Sequence, residues 1–382
     1  MSKDWTPPGY LRNLSIELRA RRYRDPIQKL AYLRRAAKGY SNWKLQLSWH
    51  WKAPLFLLIF VFLGARIQTV TDVKAGLPQE KRLPETPKVF ATPVPLGPAW
   101  LVEHGRDYDV YSNGLRIENR FLTPNEPRSY VVFRNGLPSE RRSKPAGIIF
   151  HTSESAQAPF AANENDNLTR IGRELLEYIS RKQAYHFVID RFGRVFRIVP
   201  ETDVANHAGN SVWADRDGVY LNLNHSFLGV SFEAHTHDLN EGYYLNSSQI
   251  HSGHLLVEML VGKYDIPLRN CVTHAQVSVD PTTMTIGYHT DGSGNFPFQE
   301  IGIPNNYELP IPSMFLFGFD FDSRFLMVTG TRIWKGLLLA DEQLRRDADS
   351  QHLSIDQHKE ILRERYRASI ATLKTMGIIK EN

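Results

Sequence analysis

The sequence predicts an α/β fold in which helices flank a mixed central β-sheet, with an N-terminal membrane anchor before it and a C-terminal helical appendage after it. Three observations predict this. Between residues 146 and 309, apolar runs of strand length alternate with amphipathic stretches of helix length, the pattern of a mixed sheet covered by helices. An uncharged apolar run at 53–65 lies between a basic arm and a proline-rich stretch. Beyond residue 310, two charged segments carry helical periodicity. A chain of 382 residues, 42% hydrophobic and 23% charged, suffices for one main core with appendages.

The elements follow in chain order. Residues 1–48 are expected to form a basic cytoplasmic arm. Residues 1–52 hold 12 Lys/Arg against 3 Asp/Glu, so the formal charge of +5 belongs to the arm and the remainder is net negative. That remainder has no electrostatic footprint for nucleic acid. Residues 49–66, "WHWKAPLFLLIFVFLGAR", are expected to be a transmembrane anchor. Trp49 and Trp51 suit the interface and Lys52 can snorkel, although the apolar run alone spans about 20 Å as a helix against a hydrocarbon core of about 30 Å. The positive arm then stays inside and everything after Arg66 faces outward. Residues 67–99 form a linker, with 6 prolines between 77 and 98 favouring an extended spacer. Residues 100–145 alternate apolar and polar positions around "SNG" and "PNEP" turns, a small β element.

From Ala146 the pattern is that of the main domain, 146–309. "GIIFHTS" predicts a buried strand, and "LTRIGRELLEYIS" a helix with Leu168, Ile171, Leu175 and Ile179 on one face. "AYHFVIDRFGRVFRIV" predicts a hairpin turning at "DRFG", and "FLGVSFEA" a further strand. "SSQIHSGHLLVEMLVGKY" predicts a helix with a serine cap, and "CVTHAQ" a strand end. Residues 310–382 carry the helical pair "GLLLADEQLRRDA" and "IDQHKEILRERYRASIATL", a packing or partner surface. The single cysteine, Cys271, excludes an intramolecular disulfide and a multi-cysteine zinc site.

His151 ends a buried strand, where a polar side chain is costly without a partner. His274 follows "CVT" at another strand end. Two such histidines plus an oxygen donor from a following loop would make a three-ligand metal site with an open position for water. Ordinary histidines satisfied by local hydrogen bonds are the alternative. His235 with His237, and His251 with His254, have the spacing of a metal clip, but solvated surface histidines account for them better without further donors.

The blocks "FHTSES", "AYHFVIDRFGRVFRIVPETDVANHAGNS", "HSFLGVSFEA", "THAQVSVD" and "YHTDGSGNFPF" together resemble the zinc-dependent N-acetylmuramoyl-L-alanine amidases, a family that includes amidase-type phage lysozymes and peptidoglycan recognition proteins. The resemblance covers roughly residues 146–300. It implies zinc held by His151, His274 and a third ligand, best matched by Asp291 ahead of the "FPF" turn. Asp291 lies 17 positions after His274, a longer gap than the family's short form, so Asp280 and His289 stay open as alternatives. Tyr185 matches a tyrosine that assists the attacking water. His289 stands where many active relatives carry a lysine, and could stabilise an oxyanion. Some bacterial members place a glutamate where this chain has Ser231, with Glu233 two residues on.

His207 matches a histidine lining the substrate groove, with Asn206 and Trp213 beside it. The resemblance therefore implies hydrolysis of the amide between N-acetylmuramic acid and L-alanine, or recognition of peptidoglycan or muropeptides without cleavage. With the anchor, it implies a single-pass protein of the bacterial cytoplasmic membrane whose C-terminal domain faces the periplasm or cell wall.

Overall fold

A computed structural model describes residues 98–236, 244–328 and 333–379, all within one unit of the chain. Its centre is an eight-stranded sheet. The strands are β1 (Leu101–His104), β2 (Tyr108–Tyr111), β3 (Arg116–Glu118), β6 (Gly147–Thr152), β7 (Phe187–Ile189), β8 (Val195–Arg197), β11 (Phe227–Phe232) and β12 (Cys271–Thr273). Their spatial order is β1-β2-β3-β8-β7-β11-β6-β12. Strands β7, β11, β6 and β12 run parallel, while β7 with β8 and the β1-β2-β3 meander are antiparallel, so the sheet is mixed as expected.

The two long strands at the centre, β6 and β11, are buried at every position. This is why "GIIFHT" and "FLGVSF" are continuous apolar runs without alternation. One face of the sheet packs against helix α2 (Ser247–Tyr264) through Leu256, Val257, Met259 and Leu260. The other is partly covered by α1 (Asn165–Lys182), whose Leu168, Leu176 and Ile179 are buried. Burying each such side chain contributes about 2 kcal/mol. Helix α1 ends at Gln183, whose left-handed backbone returns its N–H to the carbonyls of Ile179 and Ser180. The N-cap of α2 is Asn246, in a reciprocal box with Gln249, one residue ahead of the expected serine.

The stretch 100–145 is β-rich, but it does not stand apart. Strands β1 to β3 extend the central sheet, while β4 (Phe133–Arg134) and β5 (Leu137–Pro138) pair in a second sheet with β9 (Val212–Asp215) and β10 (Gly218–Leu221). His274 opens a one-turn helix, α3 (His274–Val277), directly after β12. A small hairpin of β13 (Val279–Asp280) and β14 (Thr285–Ile286) follows. The C-terminal segment is helical: α4 (Pro312–Phe317), α5 (Ser323–Val328), α6 (Lys335–Ser350) and α7 (Ile355–Thr375). Phe317 and Phe319 pack edge-on against Tyr366 of α7.

The expected membrane anchor at 49–66 is corrected. No helix among the described residues is long and apolar enough to cross a membrane. The apolar run itself falls short of the hydrocarbon thickness by about 10 Å. The expected placement in the bacterial cytoplasmic membrane, which rested on that anchor, falls with it. Residues 1–97, including the basic arm, the apolar run and nearly all of the linker, lie outside the described residues.

Candidate metal and catalytic site

The site lies at the carboxyl ends of the parallel strands, where open α/β sheets bind their ligands. His151 is the penultimate residue of β6. The parallel register sets Thr273 of β12 beside Phe150, so the next residue, His274, emerges beside His151 although 123 positions separate them. The two rings lie 4.5 Å apart. Asp291 enters from the loop after the small hairpin, with Oδ2 2.8 Å from His151 Nδ1 and Oδ1 2.8 Å from His274 Nδ1. All three donors lie within 4.8 Å of one another, the one such metal-ligating group among the described residues. The "FPF" turn holds this loop down: Phe296 stacks on Phe150 at 4.7 Å, and Phe296 and Phe298 are buried.

Asp280 is elsewhere. It sits in the hairpin that is inserted between His274 and Asp291, with its carboxylate accepting from the Thr282 N–H at 2.8 Å. That hairpin is the physical reason for the long spacing. His289 stacks on the outer side of His274 at 4.8 Å and is exposed.

The hydrogen bonds behind the two histidines fix where their protons lie. His207 Nε2 faces the Phe227 carbonyl at 3.3 Å, so it carries the proton and leaves His207 Nδ1 as an acceptor. His151 Nε2, 3.1 Å from that atom, must then donate to it. On His274, Nε2 faces the Ala208 carbonyl at 3.4 Å and donates there. Burial, with His274 beside it, lowers the His151 imidazole to about 4, so it is neutral near pH 7 and its Nδ1 carries a bare lone pair. Burial acts to raise the Asp291 carboxyl, but the neighbouring His274 and His151 imidazoles outweigh it and hold Asp291 well below the usual carboxylate range. Acceptor lone pairs and an ionised carboxylate thus point at one place. Such a set is stable when a cation occupies it, and two imidazoles with one carboxylate form a zinc donor set whose rings are oriented by acceptors behind them.

Tyr185 precedes β7 with its ring 5.0 Å from His151, while His186 turns to the interior and accepts from the Gly229 N–H at 2.9 Å. Burial, reinforced by Asp291, raises the Tyr185 hydroxyl and keeps it protonated. Burial and the neighbouring His274 lower His289, which is therefore neutral. Ser231 pairs with His151 across β11 and β6, fully buried. The Glu233 carboxylate is occupied by the Arg191 N–H at 3.1 Å, away from the histidines.

The three residues expected at the groove have different surroundings. His207 is 7% exposed and stands behind His151, because Gly229 leaves room for its ring: a Cβ there would lie 2.6 Å from His207 Cγ. Trp213 is 1% exposed and belongs to the core, its indole N–H donating to Asn270 Oδ1 at 3.1 Å. Asn206 is exposed, but its amide donates to the Lys182 carbonyl and tethers the end of α1. His235 faces the Ser155 carbonyl and His254 the Ile301 carbonyl, which leaves neither pair as a metal clip; His237 lies outside the described residues.

Residues 141–285 match the family of N-acetylmuramoyl-L-alanine amidases. The chain carries a domain of this amidase family. The match takes in His151 and His274 and stops six residues before Asp291, at the end of the inserted hairpin. No curated protein matches the chain. Among solved structures, the amidase domain is similar to the N-acetylmuramyl-L-alanine amidase AmiD from E. coli in complex with anhydro-N-acetylmuramic acid-L-Ala-D-gamma-Glu-L-Lys, at 20% identity and a TM-score of 0.32 over 45% of this chain and 64% of that one. It is also similar to AmpDh3 from Pseudomonas aeruginosa in complex with anhydromuramic pentapeptide, at 21% identity and a TM-score of 0.30 over 44% and 64% of the two chains. A third is the amidase LysC from Clostridium intestinale, at 20% identity and a TM-score of 0.26 over 47% and 93%. The chain thus spans under two thirds of the length of the first two.

Sequence reasoning missed the residues that hold the candidate site together. The acceptors behind the histidines are the backbone carbonyls of Ala208 and Phe227, which leave no side-chain signature. Thr236 lay unnoticed between the two histidines of "HTH", although it hydrogen-bonds the loop that carries Asp291.

Proposed function

We propose that the chain is a zinc-dependent amidase that cleaves the bond between the lactyl group of N-acetylmuramic acid and the L-alanine of peptidoglycan or its muropeptides. The observation that carries this reading is the convergence of the His151 and His274 Nδ1 atoms on the ionised Asp291 carboxylate, inside a domain of an amidase family. Zinc held by these three would supply a Lewis acid that polarises a carbonyl and acidifies water.

The chain's own groups do the rest. His207 and the Ala208 carbonyl keep the ligand protons on Nε2, so neither histidine ligand is available for proton transfer. Tyr185, held protonated beside His151, orients the attacking water by accepting from it and donating to the substrate carbonyl. His289, neutral on the outer side of His274, donates one N–H to the oxyanion as the carbonyl carbon becomes tetrahedral. It contributes a dipole and not a charge. We assign this activity to residues 146–309, with the helices beyond 310 as a packing appendage.

The test is mass spectrometry of purified peptidoglycan incubated with the full chain, with chelator, and with chelator followed by zinc. Stem peptides bearing a free L-alanine amino group, lost on chelation and restored by zinc, are expected. A folded, zinc-loaded chain that releases none overturns the hydrolase and leaves a peptidoglycan-recognition module.

A further inference from the structure

Asp291 is the only member of the proposed ligand set that comes from a loop, so something must hold that loop. Its backbone is pinned from several sides. The Ala275 N–H donates to the Asp291 carbonyl at 3.1 Å, and the Tyr307 hydroxyl donates to the Gly292 carbonyl. The Gly292 N–H donates to Thr236 Oγ1 at 3.1 Å. This last bond belongs to a chain whose direction is fixed at its far end.

Thr152, the residue after the first proposed ligand, donates its hydroxyl proton to Glu154 Oε1 at 2.6 Å. Thr152 Oγ1 and Thr236 Oγ1 are 2.5 Å apart. Since the Thr152 proton is already committed, Thr236 must be the donor between them. Its remaining lone pair then faces the Gly292 N–H. The Thr236 N–H donates to the same Glu154 oxygen at 2.9 Å, closing the circuit. Thr152 and Thr236 are 3% and 6% exposed, so every bond between them is shielded from water. Glu154 sits at φ +49, a left-handed conformation that a non-glycine residue keeps only where its surroundings hold it. Those surroundings are the bond from its own N–H to the Ala234 carbonyl and the two bonds to its carboxylate.

We propose that Glu154, Thr152 and Thr236 form a positioning relay that ties the Asp291 loop to the end of β6, setting the distance between the carboxylate and His151 and so the affinity of the site for zinc. The inference rests on the zinc reading above. None of the three touches the ligand atoms. They act through Gly292, one residue from the carboxylate. Thr236 is the element with no substitute: a valine of the same shape leaves the Gly292 N–H buried without an acceptor, while a serine keeps the acceptor.

The experiment measures zinc dissociation constants of the full chain by competition with a chelator of known affinity, alongside the metal-free melting temperature. Loss of a group that orients a ligand from behind costs about 10- to 100-fold in metal affinity. Thr236→Val is expected to fall in that range and Thr236→Ser to stay within about threefold of wild type. Glu154→Ala removes an exposed side chain and carries the same test at a second point of the relay, with an expected weakening of about three- to tenfold. Equal affinity in wild type, Thr236→Val and Glu154→Ala overturns the relay, as does equal weakening by valine and serine. A wild-type chain that takes up no zinc refutes instead the metal reading on which the relay depends.

Discussion

Gly292→Ala tests whether the loop and the proposed metal site are one mechanical unit. Gly292 has φ +77, and a Cβ there would lie 2.7 Å from Thr273 Cβ and 3.1 Å from Thr273 Cγ2. The left-handed conformation costs an alanine about 1–2 kcal/mol, and forcing a methyl into a packed contact about 1–3 kcal/mol. A loss of about 2–5 kcal/mol in the metal-free protein follows, which lowers Tm by on the order of 5–15 °C. Relief of the clash to an ordinary contact needs a shift of about 0.7 Å, because Thr273 lies on buried β12 and cannot yield. Zinc–ligand distances tolerate only about 0.2 Å. The displaced carboxylate therefore weakens zinc binding at least about tenfold, and the Tm gain on adding zinc shrinks accordingly. Calorimetry without and with excess zinc reads both effects. A variant with wild-type Tm in both conditions refutes the clamp; one that loses metal-free stability while keeping its full zinc-induced gain refutes the coupling.

Four further outcomes are expected. Asp291→Ala should abolish stoichiometric zinc and lower amidase turnover at least about 10²-fold, while Asp280→Ala, which removes only a turn contact, should leave metal content unchanged and cost at most about 1 kcal/mol; equal effects of the two would refute the assignment. Tyr185→Phe should retain zinc by elemental analysis yet lose about 10²-fold or more in kcat, and unchanged turnover removes the hydroxyl from the mechanism. Trp213→Ala should unfold at lower denaturant by about 3–5 kcal/mol with KM unaltered in whatever protein remains folded, whereas a KM effect at wild-type stability would return Trp213 to the groove. The Cys271 thiol, buried and pushed up to about 12, should resist a disulfide reagent at pH 8 until denaturant is added, and rapid labelling of the folded chain would contradict its burial.

How much of this was legible in the sequence differs with the kind of signal. His151 and His274 could be singled out because each lies at the end of a short apolar strand, and parallel register then brings strand ends together whatever their separation. Asp291 was favoured because of the "FPF" turn, whose rings seat its loop on Phe150. His207, Asn206 and Trp213 occupy one segment, but their surroundings depend on packing that no local pattern encodes. Gly229 opens space behind β11 for the His207 ring, and β9 carries Trp213 inward onto Asn270. The alternation in 100–145 revealed strands, yet not that three of them would lengthen the central sheet, because strand partners are chosen by long-range packing.

The spacing that left Asp280 and His289 open has a structural answer with a consequence. The hairpin of β13 and β14 loops out between two fixed points: its entry at the end of α3, through the bond from the Ser278 N–H to the His274 carbonyl, and its return, where the Gly287 N–H bonds the Ser278 carbonyl. Because the chain comes back to where it left, an insertion of this length need not move Asp291 relative to His274. What the insertion removes is the short tether that would otherwise define the loop, and the described contacts supply a replacement from outside the family match. Tyr307 bonds the Gly292 carbonyl and itself stacks on Trp334 at 4.4 Å, while Ile286 donates across the β14 end to hold the carbonyl of Asp320. The segment beyond residue 285 is therefore part of the site's frame, and cutting the chain at the family boundary would remove the third proposed ligand together with Tyr307, one of the residues that hold its loop.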